Sequence, residues 1–236
     1  MSRTAARLFQ QKYRTPLRHR NHSTISHGHI TRELRTLLRN SAQPVAVVTS
    51  ILPQKSKDAA YHGATLSSFT SISMDPYPLV AFSLRIPSRM ATSLKAVHPE
   101  QPSHMVINLL AAGQGSVAVA FSRPDIHAHP FTTVPYTLTE DGLPVIQGSL
   151  GAMSCKLVST ALPLHDLRYL KGERMPGNEA PELTQDEEGI ASELFIAQVT
   201  RVENVGVEDS EAPRLPLLYY HREYTTVSPI PQWTST

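Results

Sequence analysis

The stretch His62-Gly-Ala-Thr-Leu-Ser-Ser-Phe-Thr-Ser-Ile-Ser73 decides how the rest of the chain is read. Six of the nine residues from Thr65 to Ser73 carry a hydroxyl, and none is acidic or basic. Ser and Thr are short neutral donors, suited to a ligand rich in carbonyl and ring-nitrogen acceptors that lies close to the backbone. A Ser/Thr-rich edge strand explains the same composition, so the residues alone leave both readings open. In either case Thr65 to Ser73 reads as one extended segment.

Around it lie other short apolar runs, rich in β-branched and aromatic residues: Val45–Ser50, Leu79–Leu84, Met105–Leu110, Cys155–Ala161, Leu194–Val202 and Leu217–Tyr220. With Thr65–Ser73 these predict about seven strands. Helices are expected from Ile30, whose apolar partners Leu34, Leu37 and Leu38 follow at i+4, i+7 and i+8, then near Ser88–Val97, and from Gly113 to Phe121. Strands outnumber helices and do not alternate with them, which predicts a mainly β, α+β fold built on a barrel with peripheral helices. Residues 171–192 are polar and rich in Pro and Gly, and read as a long surface loop.

Charge is distributed unevenly. The first 31 residues hold six Lys and Arg and no acid, while all 20 acidic residues lie beyond them. The body therefore has no excess of positive charge to attract nucleic acid. Residues 1–28 are Arg-rich, Ser-rich and free of acids, which is the character of a mitochondrial import presequence, with residues 29–236 as the folded domain delivered to the matrix. No apolar run is long enough to insert in a membrane as a helix.

Several constellations fail on inspection. Gly113-Gln-Gly115-Ser-Val-Ala118 copies the spacing of a dinucleotide fingerprint, but Pro124, Pro130 and Pro135 interrupt the stretch where its second parallel strand would lie. The nucleophile spacing G-x-S-x-G is absent, and the single Cys155 sits in an apolar strand pattern typical of a small core residue. His27-Gly-His29 has no Cys or carboxylate beside it to complete a metal site. His165-Asp166 is adjacent in sequence, and neighbours on a strand face opposite ways.

The order of these segments resembles the flavin reductases of the FMN-binding split-barrel type, over most of the chain from about Ala42 to Tyr224. Pro44-Val-Ala-Val-Val-Thr-Ser50 is similar to the family's first barrel strand, and Thr65–Ser73 to its flavin strand. Leu84–Arg89 resembles its phosphate-side turn, Val106-Ile-Asn-Leu-Leu110 the strand before its second helix, and Gly142-Leu-Pro-Val-Ile146 with Ser154-Cys155 its late turn and strand. Leu217-Leu-Tyr-Tyr-His-Arg-Glu-Tyr224 is similar to its closing strand.

The resemblance implies a homodimer holding FMN or FAD, reduced by NADH or NADPH, that serves a partner oxygenase component. It implies that the flavin ring meets Thr65, Leu66, Ser67, Ser68 and Phe69, that Ser83, Ser88 and Arg89 meet the phosphate, and that Asn108 adds a contact. A Ser opening a helix, followed by Arg, suits an anion on physical grounds as well. The family's Gly-Asp-His before a Leu-Phe strand is missing, since Ile190-Ala-Ser192 precedes Glu193-Leu194-Phe195 here. An insertion at 167–192 would leave His165 as the residue reaching the nicotinamide. No acid–base catalytic residue is implied, because hydride transfer draws on the cofactor. The rival is a flavin- or haem-binding barrel module without NAD(P)H turnover.

Overall fold

The structure is a computed structural model, and it describes residues 27–52, 61–173, 191–205 and 214–228. In chain order its elements are α1 (His27–Arg39), β1 (Gln43–Pro44), β2 (Ala46–Ile51), β3 (Tyr61–Leu66), β4 (Thr70–Ser73), β5 (Leu79–Ile86) and α2 (Arg89–Lys95). Then follow β6 (Met105–Leu109), α3 (Gly115–Ser122), β7 (Tyr136–Leu138), β8 (Pro144–Ile146), β9 (Gly151–Leu157), β10 (Leu162–Pro163) and α4 (Leu167–Leu170). The last three are β11 (Ala191–Glu203), β12 (Leu218–Tyr220) and β13 (Glu223–Thr225).

The chain divides into two units, Met1–Leu38 and Arg39–Thr236. In the first, α1 carries Ile30, Leu34, Leu37 and Leu38 at the expected helical spacing, all exposed. The helix already begins at His27, so residue 28 marks no structural border. The presequence expected over residues 1–28 lies almost wholly outside the described residues.

In the second unit the main antiparallel sheet runs β3-β2-β6-β9-β11-β5-β4, with β10 paired to β11, and smaller sheets β1-β12-β13 and β7-β8 stand beside it. Every ladder between strands among the described residues is antiparallel, which removes the dinucleotide reading of Gly113–Ala118. The sheet curls around Ala46, Val48, Leu66, Phe82, Met105, Ile107, Phe195 and Ala197, with Met90 and Leu94 of α2 packed into the same core. Phe82 and Phe195 lie opposite each other in register and stack with centroids 5.5 Å apart. A second core, of Val45, Val47, Leu110, Phe121, Ile146 and Leu217, lies beneath α3. These alternating residues explain why β2 and β6 are buried on both faces.

Three expectations are corrected. Thr65–Ser73 is not one strand: it breaks at Ser67–Phe69 into β3 and β4, which stand at opposite ends of the strand order. The closing segment Leu217–Tyr224 is a hairpin, because His221 and Arg222 take left-handed backbone conformations (φ 50° and 68°) and reverse the chain. The region read as inserted loop contains α4, capped by the Asp166 side chain accepting from Tyr169 N–H, and residues 191–192 already belong to β11. Residues 174–190 lie outside the described residues.

Candidate functional site

The bend Ser67–Phe69 carries the chain from the first strand of the sheet to the last. Ser67 and Ser68 are exposed there, while Phe69 is half-buried against the barrel core. Ser68 explains why the bend holds. Its Oγ accepts from Ser83 N–H at 2.9 Å and donates to Ser83 O at 3.1 Å, supplying by side chain the pairing that β4 no longer offers to β5. Ser68 and Ser83 are thus brought together.

The remaining hydroxyl residues divide by where their groups are engaged. Thr65 donates its hydroxyl to Ala118 O of α3 at 2.7 Å, so it fastens the helix rather than facing solvent. Leu66 is 2% exposed and sits in the barrel core, leaving only its backbone near the bend. Gly63 is needed where it stands: a Cβ there would meet the Phe121 ring at 2.6 Å, so β3 and α3 approach closely only at a glycine.

At the turn for which the resemblance implied a phosphate contact, β5 leads into α2. Ser88 is the N-cap of that helix, its Oγ accepting from Ala91 N–H at 3.1 Å. Arg89 is exposed beside it. His62, on the inward face of β3 with Ala64 and Leu66, is held below its ordinary pKa first by burial and then by the Arg89 charge. It was recognisable only through the alternation of the strand.

Asn108, for which the resemblance implied a flavin contact, is engaged within the sheet. It is wholly buried on β6, donates from Nδ2 to Val47 O (3.1 Å) and Thr49 Oγ1 (3.3 Å), and accepts from Ile146 N–H at 2.9 Å. Both amide protons and the carbonyl are engaged, so the side chain ties β6, β2 and β8 together.

His165 stands between β10 and α4, half-buried, with an Nδ1 that has no hydrogen-bond partner among the described residues. It is not gathered with the bend by any contact found among those residues. Directly after the place of the missing Gly-Asp-His, Glu193 pairs in register with Leu84 and Pro163, and its Oε1 accepts from Lys95 Nζ at 2.9 Å. Sequence reading noted the missing motif but not this ion pair. Cys155 is buried, and its thiol is pushed up to about 12 by that burial, which leaves it inert. Among the described residues no helix is long and apolar enough to cross a membrane, and no group of three His, Cys, Asp or Glu assembles.

The sequence profile of the flavin reductase like domain matches residues 38–228. Among curated relatives, the FMN reductase (NADH) SmoA of Agrobacterium fabrum is 29% identical over 137 residues, 57% of this chain and 70% of that protein. Other relatives are matched over as little as 59% of their length. Among solved structures, the styrene monooxygenase flavin reductase of Pseudomonas putida S12 superposes with a TM-score of 0.57 at 25% identity, covering 84% of this chain and 97% of that one. The NADH:FAD oxidoreductase SgcE6 of Streptomyces globisporus, solved with NAD and FAD fragments, gives 0.58 at 22% identity over 84% and 93%.

The relatives come from Agrobacterium, Pseudomonas, Rhodococcus and Mycobacterium, all bacterial genera, and this overturns the mitochondrial matrix location expected from the basic N-terminus. Arginines and serines without acids are equally the composition of a plain basic tail, so composition could not separate the two. The antiparallel half-barrel, its hydroxyl-bearing bend and a profile match spanning most of its length make the chain a member of the flavin reductase like domain family.

Proposed function

We propose that this protein is an NAD(P)H-dependent flavin reductase that binds FMN or FAD along the Ser67–Phe69 bend. The observation that carries the reading is that bend: two exposed serines where the two edges of the sheet meet, one locked to the Ser83 backbone. Small neutral groups on a fixed backbone fit a flat ring edged with carbonyls and nitrogens, and the fit needs no side chain to move. The flavin, when bound, supplies the capacity to accept hydride from the nicotinamide C4 at its N5. The chain's own residues have other tasks. Ser67 and the bend backbone orient the ring, Phe69 offers apolar surface beside it, and Ser88 and Arg89 take the phosphate. An Arg–phosphate contact of this kind contributes about 1.5–3 kcal/mol.

NADH is the donor favoured by the names of relatives, among them an NADH-dependent flavin reductase of Rhodococcus. An oxygenase component as acceptor of the reduced flavin is supported by relatives described as reductase subunits of flavin-dependent monooxygenases. A homodimer is supported by Ile72, Met74 and Tyr77, exposed apolar residues on and after edge strand β4, directly beyond the bend.

The test is steady-state oxidation of NADH and NADPH with FMN or FAD as acceptor. Turnover dependent on added flavin is expected, with Arg89→Ala raising the KM for flavin. Tight flavin binding without turnover would instead establish the second reading, a flavin- or haem-binding module, which the lack of a His at Ile190-Ala-Ser192 favours. His165→Ala separates these further: a raised KM for NADH with unchanged flavin affinity assigns it to the nicotinamide.

A further inference from the structure

Helix α1 presents an apolar face to solvent along its length. Ile30, Leu34, Leu37 and Leu38 keep between 46% and 66% of their surface exposed. At ~3.6 residues per turn the four fall within an arc of about 100°, while Arg32, Arg35 and Arg39 fall within about 60° on the other side. A soluble helix with such a stripe ordinarily buries it against a core. Four aliphatic side chains left side by side in water mark a surface of interaction.

Charge identifies what covers it. Over residues 1–39 nine Lys and Arg stand against one acid, Glu33. That acid is taken up on the helix itself, its Oε2 lying 3.3 Å from His29 Nδ1 one turn earlier. The occupant must therefore be apolar where it meets the leucines and negative where it meets the arginines. An anionic bilayer offers both, with acyl chains directly beneath a layer of phosphates. A nucleic acid offers the negative charge but leaves the leucines in water. A second copy of α1 covers the leucines but doubles the positive charge instead of neutralising it.

Length decides the orientation. Thirteen residues make a helix of about 20 Å, short of the ~30 Å hydrocarbon core, so α1 lies in the plane of the surface and does not span it. Arginine stems reach from there to the headgroups without drawing the charge into the lipid.

We propose that α1 docks this protein on an anionic lipid surface, with Ile30, Leu34, Leu37 and Leu38 seated among the acyl chains and Arg32, Arg35 and Arg39 on the phosphates. None of the residues proposed for the flavin lies in α1, so this contact and the reductase reading stand or fall separately.

Flotation of the full chain with vesicles tests it, using phosphatidylcholine alone and a two-to-one mixture of phosphatidylcholine and phosphatidylglycerol. Binding to the mixed vesicles is expected, at least ~10-fold tighter than to phosphatidylcholine alone and largely lost in ~1 M salt. Leu34→Gln with Leu37→Gln leaves every charge in place and should weaken binding at least ~10-fold, as should Arg32→Gln with Arg35→Gln. All four side chains are exposed, so thermal melts of both variants should match the parent. No flotation with the mixed vesicles overturns the proposal, and so does equal affinity for the two vesicle types. Vesicle binding unchanged by the leucine substitutions overturns it as well, because charge alone would then account for the contact. Duplex DNA bound in preference to the mixed vesicles would assign the helix to nucleic acid. A leucine variant that floats as before but elutes as a smaller species in gel filtration would assign the face to a second copy, and either result overturns the lipid proposal.

Discussion

Replacing Asn108 by Ala separates a structural role from a cofactor role at one position. The side chain is wholly buried and makes three hydrogen bonds, to Val47 O, Thr49 Oγ1 and Ile146 N–H. Thr49 keeps its hydroxyl bond to Pro144 O at 2.6 Å, so its loss is small. Ile146 N–H is the main casualty, since Ile146 is 0% exposed and water does not reach it. An orphaned buried donor costs about 1–3 kcal/mol, and the void left by the amide adds to it, giving roughly 2–4 kcal/mol in all. For a folded unit of this size each kcal/mol lowers Tm by about 2–4 °C, so a fall of roughly 4–16 °C is expected. Thermal melts and urea denaturation measure this, and fluorescence titration at a temperature where the variant is folded measures flavin affinity. The affinity should stay within about twofold, well under the ~1.4 kcal/mol of a tenfold change. A stable variant that has lost flavin affinity would refute the reasoning and return Asn108 to the cofactor.

Gly63→Ala should destabilise by about 1–3 kcal/mol, because the added methyl meets the Phe121 ring on a strand that cannot retreat, and a urea midpoint equal to wild type would show that α3 yields freely. Ser68→Ala removes both bonds of the clip to Ser83 and should cost about 1–2 kcal/mol of stability while weakening flavin, whereas Ser67→Ala should affect flavin alone; equal stability of the two variants would contradict the clip. His62 and His104 are both held below the ordinary value of 6.5, largely by burial, so the folded state binds fewer protons than the unfolded one. Stability should be complete above that value and decline as pH falls below it, and substituting both by Gln should flatten the decline in urea midpoints. Cys155 should resist a thiol reagent until the protein is unfolded; rapid labelling of the native protein would place it at the surface.

Much of the barrel was legible because β-branched runs such as Leu79–Leu84 and Met105–Leu110 leave little alternative to a buried strand. The helices at Ile30, Ser88 and Gly113 followed from spacing and caps. The break at Ser67–Phe69 was not legible, since hydroxyl residues populate both sides of it and the composition does not change where the conformation does. The hairpin at His221-Arg222 lacks the Gly or Asn that usually announces left-handed turn residues. Asn108 shows the limit most clearly: its type suits a ligand contact and a buried tie between strands equally, and only the positions of Val47, Thr49 and Ile146 distinguish them.

The bend at Ser67–Phe69 also governs how the barrel can close. The two strands it joins are the outermost in the sheet, yet only three residues separate them in the chain. Bringing those edges together therefore sacrifices little chain entropy, while the pairing of β5 with β11 must gather segments from distant parts of the sequence. The edges should meet early in folding and the middle of the sheet be filled in afterwards. A circular permutant opened between Ser67 and Phe69 would keep every ladder but lose that short tether, and so would fold more slowly while leaving its hydrogen-bonded strands unaltered.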